Sequence, residues 1–342
     1  MIQTLVATLM WALVASLLVF RRKRADRSVT YAAIAIAIAM TLNVDAIYTA
    51  IDPLLGETNI ATLVADALLM TGLFFLGRGV MHTGHYRPQL VRVAVSLPIL
   101  LVSLAAITVA FFFIDHGETT TRFMADLGDQ LATAVYSIIN FVYCGVVIAT
   151  MMVLATRQHR SSTGIQRLPA ALLTLGSAFG VALCLAVIVM DIAHVTGQLD
   201  LMYAVQPAYG PLSLLTFGFL CAGFTAQPVV RLAQHHARRR RTAALAAGLE
   251  PVWERATRVR PGLSQAEPLA AQADDPDGRL HRKIVEIRDA MIDGRVTFTI
   301  SDDERALLQA AERHLLGEQD TETEPGRGGD DDTAQADEEC PA

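Results

Sequence analysis

Residues 131–155, LATAVYSIINFVYCGVVIATMMVLA, form a 25-residue stretch without one charged side chain. An α-helix rises 1.5 Å per residue and a bilayer's hydrocarbon layer is about 30 Å thick, so roughly 20 such residues suffice to cross it. Backbone amides have no water to bond inside lipid, and the spanning segment must therefore be helical. Working outward, similar apolar stretches recur at about 2–20, 30–51, 60–80, 93–114, 169–194 and 209–229, which with 131–155 makes seven. The sequence predicts an all-α membrane protein, a seven-transmembrane-helix bundle over 1–230. The first stretch has no basic residues before it and a basic cluster after it, so it is expected to be an uncleaved helix and not a signal peptide.

Composition agrees with this pattern. Of the 342 residues, 52% are hydrophobic and 18% charged, with a mean hydropathy of +0.38. A soluble domain carries about 25% charged residues. Lysine occurs only at Lys23 and Lys283; arginine supplies the remaining fixed positive charge. Arg21, Arg22, Lys23, Arg24 and Arg27 follow the first stretch. Arg78, Arg87 and Arg92 flank the junction of the third and fourth, and Arg157, Arg160 and Arg167 that of the fifth and sixth. The alternate junctions hold Arg122 among Asp115, Glu118, Asp126 and Asp129. Basic residues stay on the cytoplasmic side during insertion, which predicts an inner (plasma) membrane protein with N-terminus outside and C-terminus cytoplasmic.

Beyond the seventh stretch the character changes. Residues 231–317 are expected to form a cytoplasmic, mainly helical domain, and 318–342 a disordered acidic tail, because that tail is rich in Asp, Glu and Gly and lacks aromatics. The run Arg238, Arg239, Arg240, Arg241 serves as a topogenic signal and offers contact with anionic lipid. Residues 261–277 are expected to be a linker. Leu280, Ile284, Ile287 and Met291 share one face of an amphipathic helix over 278–292, with Arg282 and Glu286 spaced i, i+4. Ser301 and Glu304 make a capping box for a last helix.

Ionisable side chains in an apolar span cost at least about 2.5 kcal/mol at mid-depth, which makes them functional candidates. Asp45, Asp66, Asp191 and His194 all fall in the outer half, as a candidate polar pocket for a cation, a proton or a small cationic ligand. Interhelical hydrogen bonding is the alternative use of the same groups. Gly176 and Gly180 form G-x-x-x-G, a device for close helix approach within the bundle or in a dimer seam. Pro98 is placed to kink the fourth helix. Cys144, Cys184 and Cys221 lie in apolar stretches without metal or disulfide spacing, and His82 with His85 lacks a third ligand, so no metal or cofactor is expected. The chain carries no P-loop, H-E-x-x-H, G-x-S-x-G or dinucleotide fingerprint. Neither enzymatic activity nor nucleic-acid binding is expected.

Leu249–Glu–Pro–Val–Trp253 and Gly278–Arg–Leu–His–Arg–Lys–Ile–Val–Glu–Ile–Arg–Asp289 resemble segments in a family of uncharacterised actinobacterial multi-pass membrane proteins. Val252, His281 and Lys283 depart from the residues usual there. The resemblance implies a multi-helix membrane region before a cytoplasmic domain of unknown function, in proteins labelled transporters. The expected function is a sensor or regulatory scaffold with a partner-binding module at Trp253, Arg282, Glu286, Arg288 and Asp289. The alternative is a transporter of a small solute or cation.

Overall fold

The computed structural model describes residues 2–20, 28–56, 58–83, 89–115, 119–121, 123–259, 275–293 and 297–316. Helices make up 89% of these residues, and no strand occurs among them. Two compact units divide the chain, Met1–Leu232 and Ala233–Ala342. The basic loop at 21–27, His85, most of the expected linker and the acidic tail lie outside the described residues.

In the first unit, five helices are long and apolar enough to cross a membrane, with one bent pair and one shorter apolar helix beside them. Helix α1 is Ile2–Phe20. The expected second stretch divides into α2 (Ser28–Leu42) and α3 (Asp45–Ile51), which meet with a bend of 84° at Asn43–Val44. A 3-10 turn, Asp52–Leu55, follows with Pro53 in its first positions, and Gly56 closes it at φ 105°. Helix α4 is Ile60–Thr83. The expected fourth stretch also divides, into α5 (Gln89–Ala94) and α6 (Leu97–Phe112). Pro98 sits in the first turn of α6 behind Ser96, so it starts a helix instead of kinking one; its missing N–H costs nothing there. Then come α7 (Phe123–Asp126), α8 (Leu131–Ser161), α9 (Arg167–Val195) and α10 (Leu199–Gly248). The last helix runs well past the expected end at 229 and contains Pro207, Pro211 and Pro228.

Helix α8 is the centre of the unit, with α4, α6 and α9 packed along it, while α2 lies against α1 and α4. Small residues set these approaches. A Cβ on Gly176 would lie 2.8 Å from the Leu220 backbone N, and one on Gly223 would lie 3.1 Å from the Leu173 N. The G-x-x-x-G stripe thus serves a seam between α9 and α10 within the chain. Trp11 ties α1 to α2 by donating its indole N–H to Thr41 Oγ1 at 3.0 Å. The outer surface stays apolar: on α6 alone Leu101, Val102, Val109 and Phe112 are exposed. So large an apolar surface suits lipid, not water.

The second unit is built from the end of α10, α11 (Glu250–Val259), α12 (Pro276–Ile292) and α13 (Asp302–Leu316). Its core contains Leu249, Val252, Leu280, Ile284, Ile287 and Leu308. Each such aliphatic side chain contributes about 1.5–3 kcal/mol on burial. Asp275 caps α12 by accepting from the Asp277 N–H. Residues 297–300, between α12 and α13, carry no regular structure.

The capping box of α13 forms in both directions. Glu304 Oε2 accepts from the Ser301 N–H at 2.9 Å, and the Glu304 N–H donates to Ser301 Oγ at 3.2 Å. The Ser301 amide, helped by Arg255, holds the Glu304 carboxyl below the usual glutamate range. A carboxyl depressed in the folded state stabilises it above the unfolded value of about 4.3, and that contribution disappears as pH falls through the lower folded value. Glu304→Gln keeps a capping amide but removes the titration. Tryptophan-monitored unfolding of the full chain between about pH 6 and 3 should therefore show a shallower acid loss in the variant. Identical acid profiles would overturn this assignment.

Candidate functional site

The expected four-residue pocket is divided by the structure. Asp45 is exposed at the head of α3, where the bend has taken it out of line with α2. Asp66 and Asp191 meet neighbouring positions of α8, and His194 stands near the end of α9 against Gly128, where a Cβ would lie 2.5 Å from its Nδ1.

Asp66, on α4, accepts a hydrogen bond from Tyr136 OH at 2.6 Å, and Asn140, one turn along α8, faces the same carboxylate. The Tyr136 ring is held by Phe111 of α6 and Phe123 of α7, with centroids 5.8 and 6.0 Å away. This clamp, on a side chain only 1% exposed, aims the phenol at the acid. Asn140 Oδ1 also accepts the Cys144 thiol at 3.7 Å.

Asp191, on α9, approaches α8 from another side. The two helices run antiparallel, with Gly145 opposite Cys184 and Ile148 opposite Gly180. That register brings Asp191 to Ser137, and the two side chains face each other. Asp191 is 4% exposed and Ser137 2%, yet Asp191 Oδ2 and Ser137 Oγ have no hydrogen-bond partner. Thr133, one turn before Ser137, is fully buried and its hydroxyl is likewise unpartnered. Among the described residues, no group of three His, Cys, Asp or Glu side chains is placed to hold a metal ion.

A second polar knot lies between the bent pair and α4, and it was not singled out in the sequence. Asp52 is fully buried. Its carboxylate accepts the Asn59 N–H at 3.0 Å, the Ala61 N–H at 3.1 Å and Thr119 Oγ1–H at 2.8 Å. Asn59, at φ 57°, accepts on Oδ1 from Tyr48 OH at 3.0 Å and from the Thr120 N–H at 2.9 Å. Tyr48 OH also pairs with Thr62 Oγ1 at 2.9 Å. Asp52 therefore anchors the start of α4 and ties Thr119 to it, as a carboxylate suits a helix N-terminus. The Asp–Pro pair at 52–53 and the Asn directly before an apolar run were the available signals.

The residues expected to bind a partner are joined to one another within the second unit. Glu286, 6% exposed, accepts from the Trp253 indole N–H and from Arg282 Nε at 2.8 Å. Lys283 donates to the Ala246 carbonyl at 3.0 Å, pairs with Glu250, and lies 5.5 Å from the Trp253 ring centre. Arg288 grips Glu312 with two bonds of 2.7 and 2.8 Å, and this pairing raises its pKa further. Arg255 pairs with Glu304 at 2.6 Å. Arg238 reaches Asp277 at 3.3 Å, while Arg239, Arg240 and Arg241 are exposed. Asp289 carries its carbonyl in the cap of α12, accepting the Asp293 N–H.

No family model, curated protein or solved structure matches the chain, so its reading rests on an all-helical fold with several apolar helices that suit a membrane.

Proposed function

We propose that the chain is a plasma-membrane sensor or regulatory scaffold: seven spans, N-terminus outside, with a cytoplasmic helical module that engages a protein partner. One observation carries this reading. Helix α10 supplies Leu220, Cys221 and Phe224 to the core of the first unit, and Leu245 and Ala246 pack on the core of the second. A ligand that favours one arrangement of the bundle can then bias the module through the chain that joins them, provided it binds two bundle states unequally. The arginine distribution supports the orientation. The resemblance of Leu249–Trp253 and Gly278–Asp289 to segments of actinobacterial multi-pass proteins supports membership of that family.

The module offers Val285 and Ile292 as exposed apolar residues of α12, 41% and 80% exposed. A photo-crosslinking amino acid at either position, in the full chain in native membranes, should yield a discrete adduct with one cytoplasmic protein. Absence of an adduct at both positions would overturn the scaffold reading.

A transporter is the second reading, favoured by Asp66 and Asp191 meeting adjacent residues of α8 inside the bundle. Intramembrane acids commonly mark ion pathways. Purified chain in liposomes should then support flux of a cation or solute that Asp66→Asn abolishes.

A further inference from the structure

We propose that Asp191, Ser137 and Thr133 form a binding site for a monovalent, sodium-sized cation at the seam of α8 and α9. This goes beyond the scaffold reading and holds whether the bundle signals or transports.

The two intrabundle carboxylates are treated differently by their surroundings. Asp66 is provided for: Tyr136 donates to it at 2.6 Å and Asn140 faces it. Asp191 is not. Ser137 is turned to it, yet neither Asp191 Oδ2 nor Ser137 Oγ makes a hydrogen bond of ordinary length and angle, and both are buried. A third unpartnered oxygen, Thr133 Oγ1, lies one helical turn away on α8, where the register sets it opposite the last turn of α9. Buried polar groups in native proteins are almost always satisfied, and an unpartnered one marks a missing ligand or a strained site.

Their chemistry selects the ligand. Carboxylate and hydroxyl oxygens are hard donors suited to alkali and alkaline-earth ions. One carboxylate balances one positive charge, whereas calcium takes six to eight oxygens, usually with several carboxylates. Among the described residues, no basic side chain is recorded against Asp191. Between Leu131 and Ala155, and between Leu168 and Ala193, the chain has no Lys, Arg or His. His194 is turned to Gly128. A cation on Asp191 and Ser137, with a water carrying the contact on to Thr133 one turn away, would satisfy all three oxygens and neutralise the acid in an apolar bundle.

The test uses the full chain in nanodiscs, with thermal unfolding followed during titration by NaCl, KCl or choline chloride at constant ionic strength. Wild type should show a saturable rise in Tm with sodium that choline does not reproduce. Asp191→Asn should abolish the rise, Ser137→Ala and Thr133→Val should each weaken it about tenfold, a loss in the range of one ligating hydrogen-bonding group, and Asp66→Asn should leave it in place. In choline alone, Asp191→Asn should melt above wild type, because the uncompensated charge is gone. A wild-type Tm insensitive to sodium and potassium would overturn the proposal, as would a sodium response retained by Asp191→Asn. A Tm that follows pH but no cation would replace it with a proton-carrying acid. If Asp191→Asn does not fold, the two hydroxyl variants decide: unchanged sodium affinity in both overturns the site.

Discussion

Asp52→Ala should destabilise the first unit by about 3 kcal/mol or more, since hydrogen bonds to a charged group contribute about 1.5–3 kcal/mol each and their buried donors would be left unmet. The carboxylate holds two amides at the start of α4 and the Thr119 hydroxyl at once. Removing it leaves the Asn59 and Ala61 N–H groups facing a cavity, and frees Thr119 from α4. Asp52→Asn should fall between wild type and alanine: its carbonyl can still accept, but its NH2 turns a donor toward donors. Hydrogen exchange in nanodiscs provides the readout, with faster exchange at Asn59 and Ala61 accompanying a lower unfolding midpoint. An alanine variant with unchanged exchange at both amides would show that Asp52 anchors nothing.

The second large effect belongs to Trp253. Trp253→Ala should cost the second unit about 3 kcal/mol, the lower end of the range for removing a large aromatic, because its ring is only partly buried against that core. Two losses combine in it. The ring packs on the cluster around Leu280 and Ile287 and lies under Lys283. Its N–H also donates to Glu286, which is 6% exposed. Trp253→Phe separates them, since it retains most of the packing and removes the donor, at an expected cost of about 1–3 kcal/mol. Limited proteolysis of the full chain in membranes should cleave the alanine variant first, the phenylalanine variant next and wild type last. Equal resistance in all three would remove Trp253 from the core of the module.

Much of the fold was legible because lipid leaves a chain few choices. The stretch at 2–20 became α1 with the same bounds, and 60–80 lies within α4. The break at Asn43–Val44 was not anticipated, and the one before Leu97 was expected only as a kink at Pro98, although their signals are local. Asn43 and Asp45 interrupt the apolar run where α2 bends into α3, and Ser96 with Pro98 spells a helix start. Hydropathy averages over such residues, whereas capping chemistry depends on one or two of them. The amphipathic face over 278–292 was legible for the opposite reason: its period is local, and α12 buries Leu280, Ile284 and Ile287 as that period requires.

The candidate site was only half legible. Asp66 and Asp191 stand out in any apolar run by charge alone. Ser137 and Thr133 do not, since hydroxyls are ordinary within spans, where a helix carbonyl usually absorbs them. Their meaning comes from which positions of α9 they oppose, and register between helices is not written in either helix by itself. The converse error has the same source. Glu286 and Arg288 look like a solvent-facing charged surface in one dimension, and in three dimensions they bind Trp253, Arg282 and Glu312.

The 84° break at Asn43–Val44 carries a consequence for the surrounding membrane. It leaves α2 with 15 residues, and α6 has 16. At 1.5 Å per residue these rods are about 22 and 24 Å long, against a hydrocarbon thickness of about 30 Å. Helices α8 and α9, with 31 and 29 residues, exceed that thickness comfortably. Were α2 and α6 each to cross a bilayer, lipids beside them would have to compress where those beside α9 would not. Mismatch of this kind costs fractions of a kcal/mol per ångström and sorts proteins among membranes. Short-chain lipids should then gather beside α2 and α6 in preference to α9.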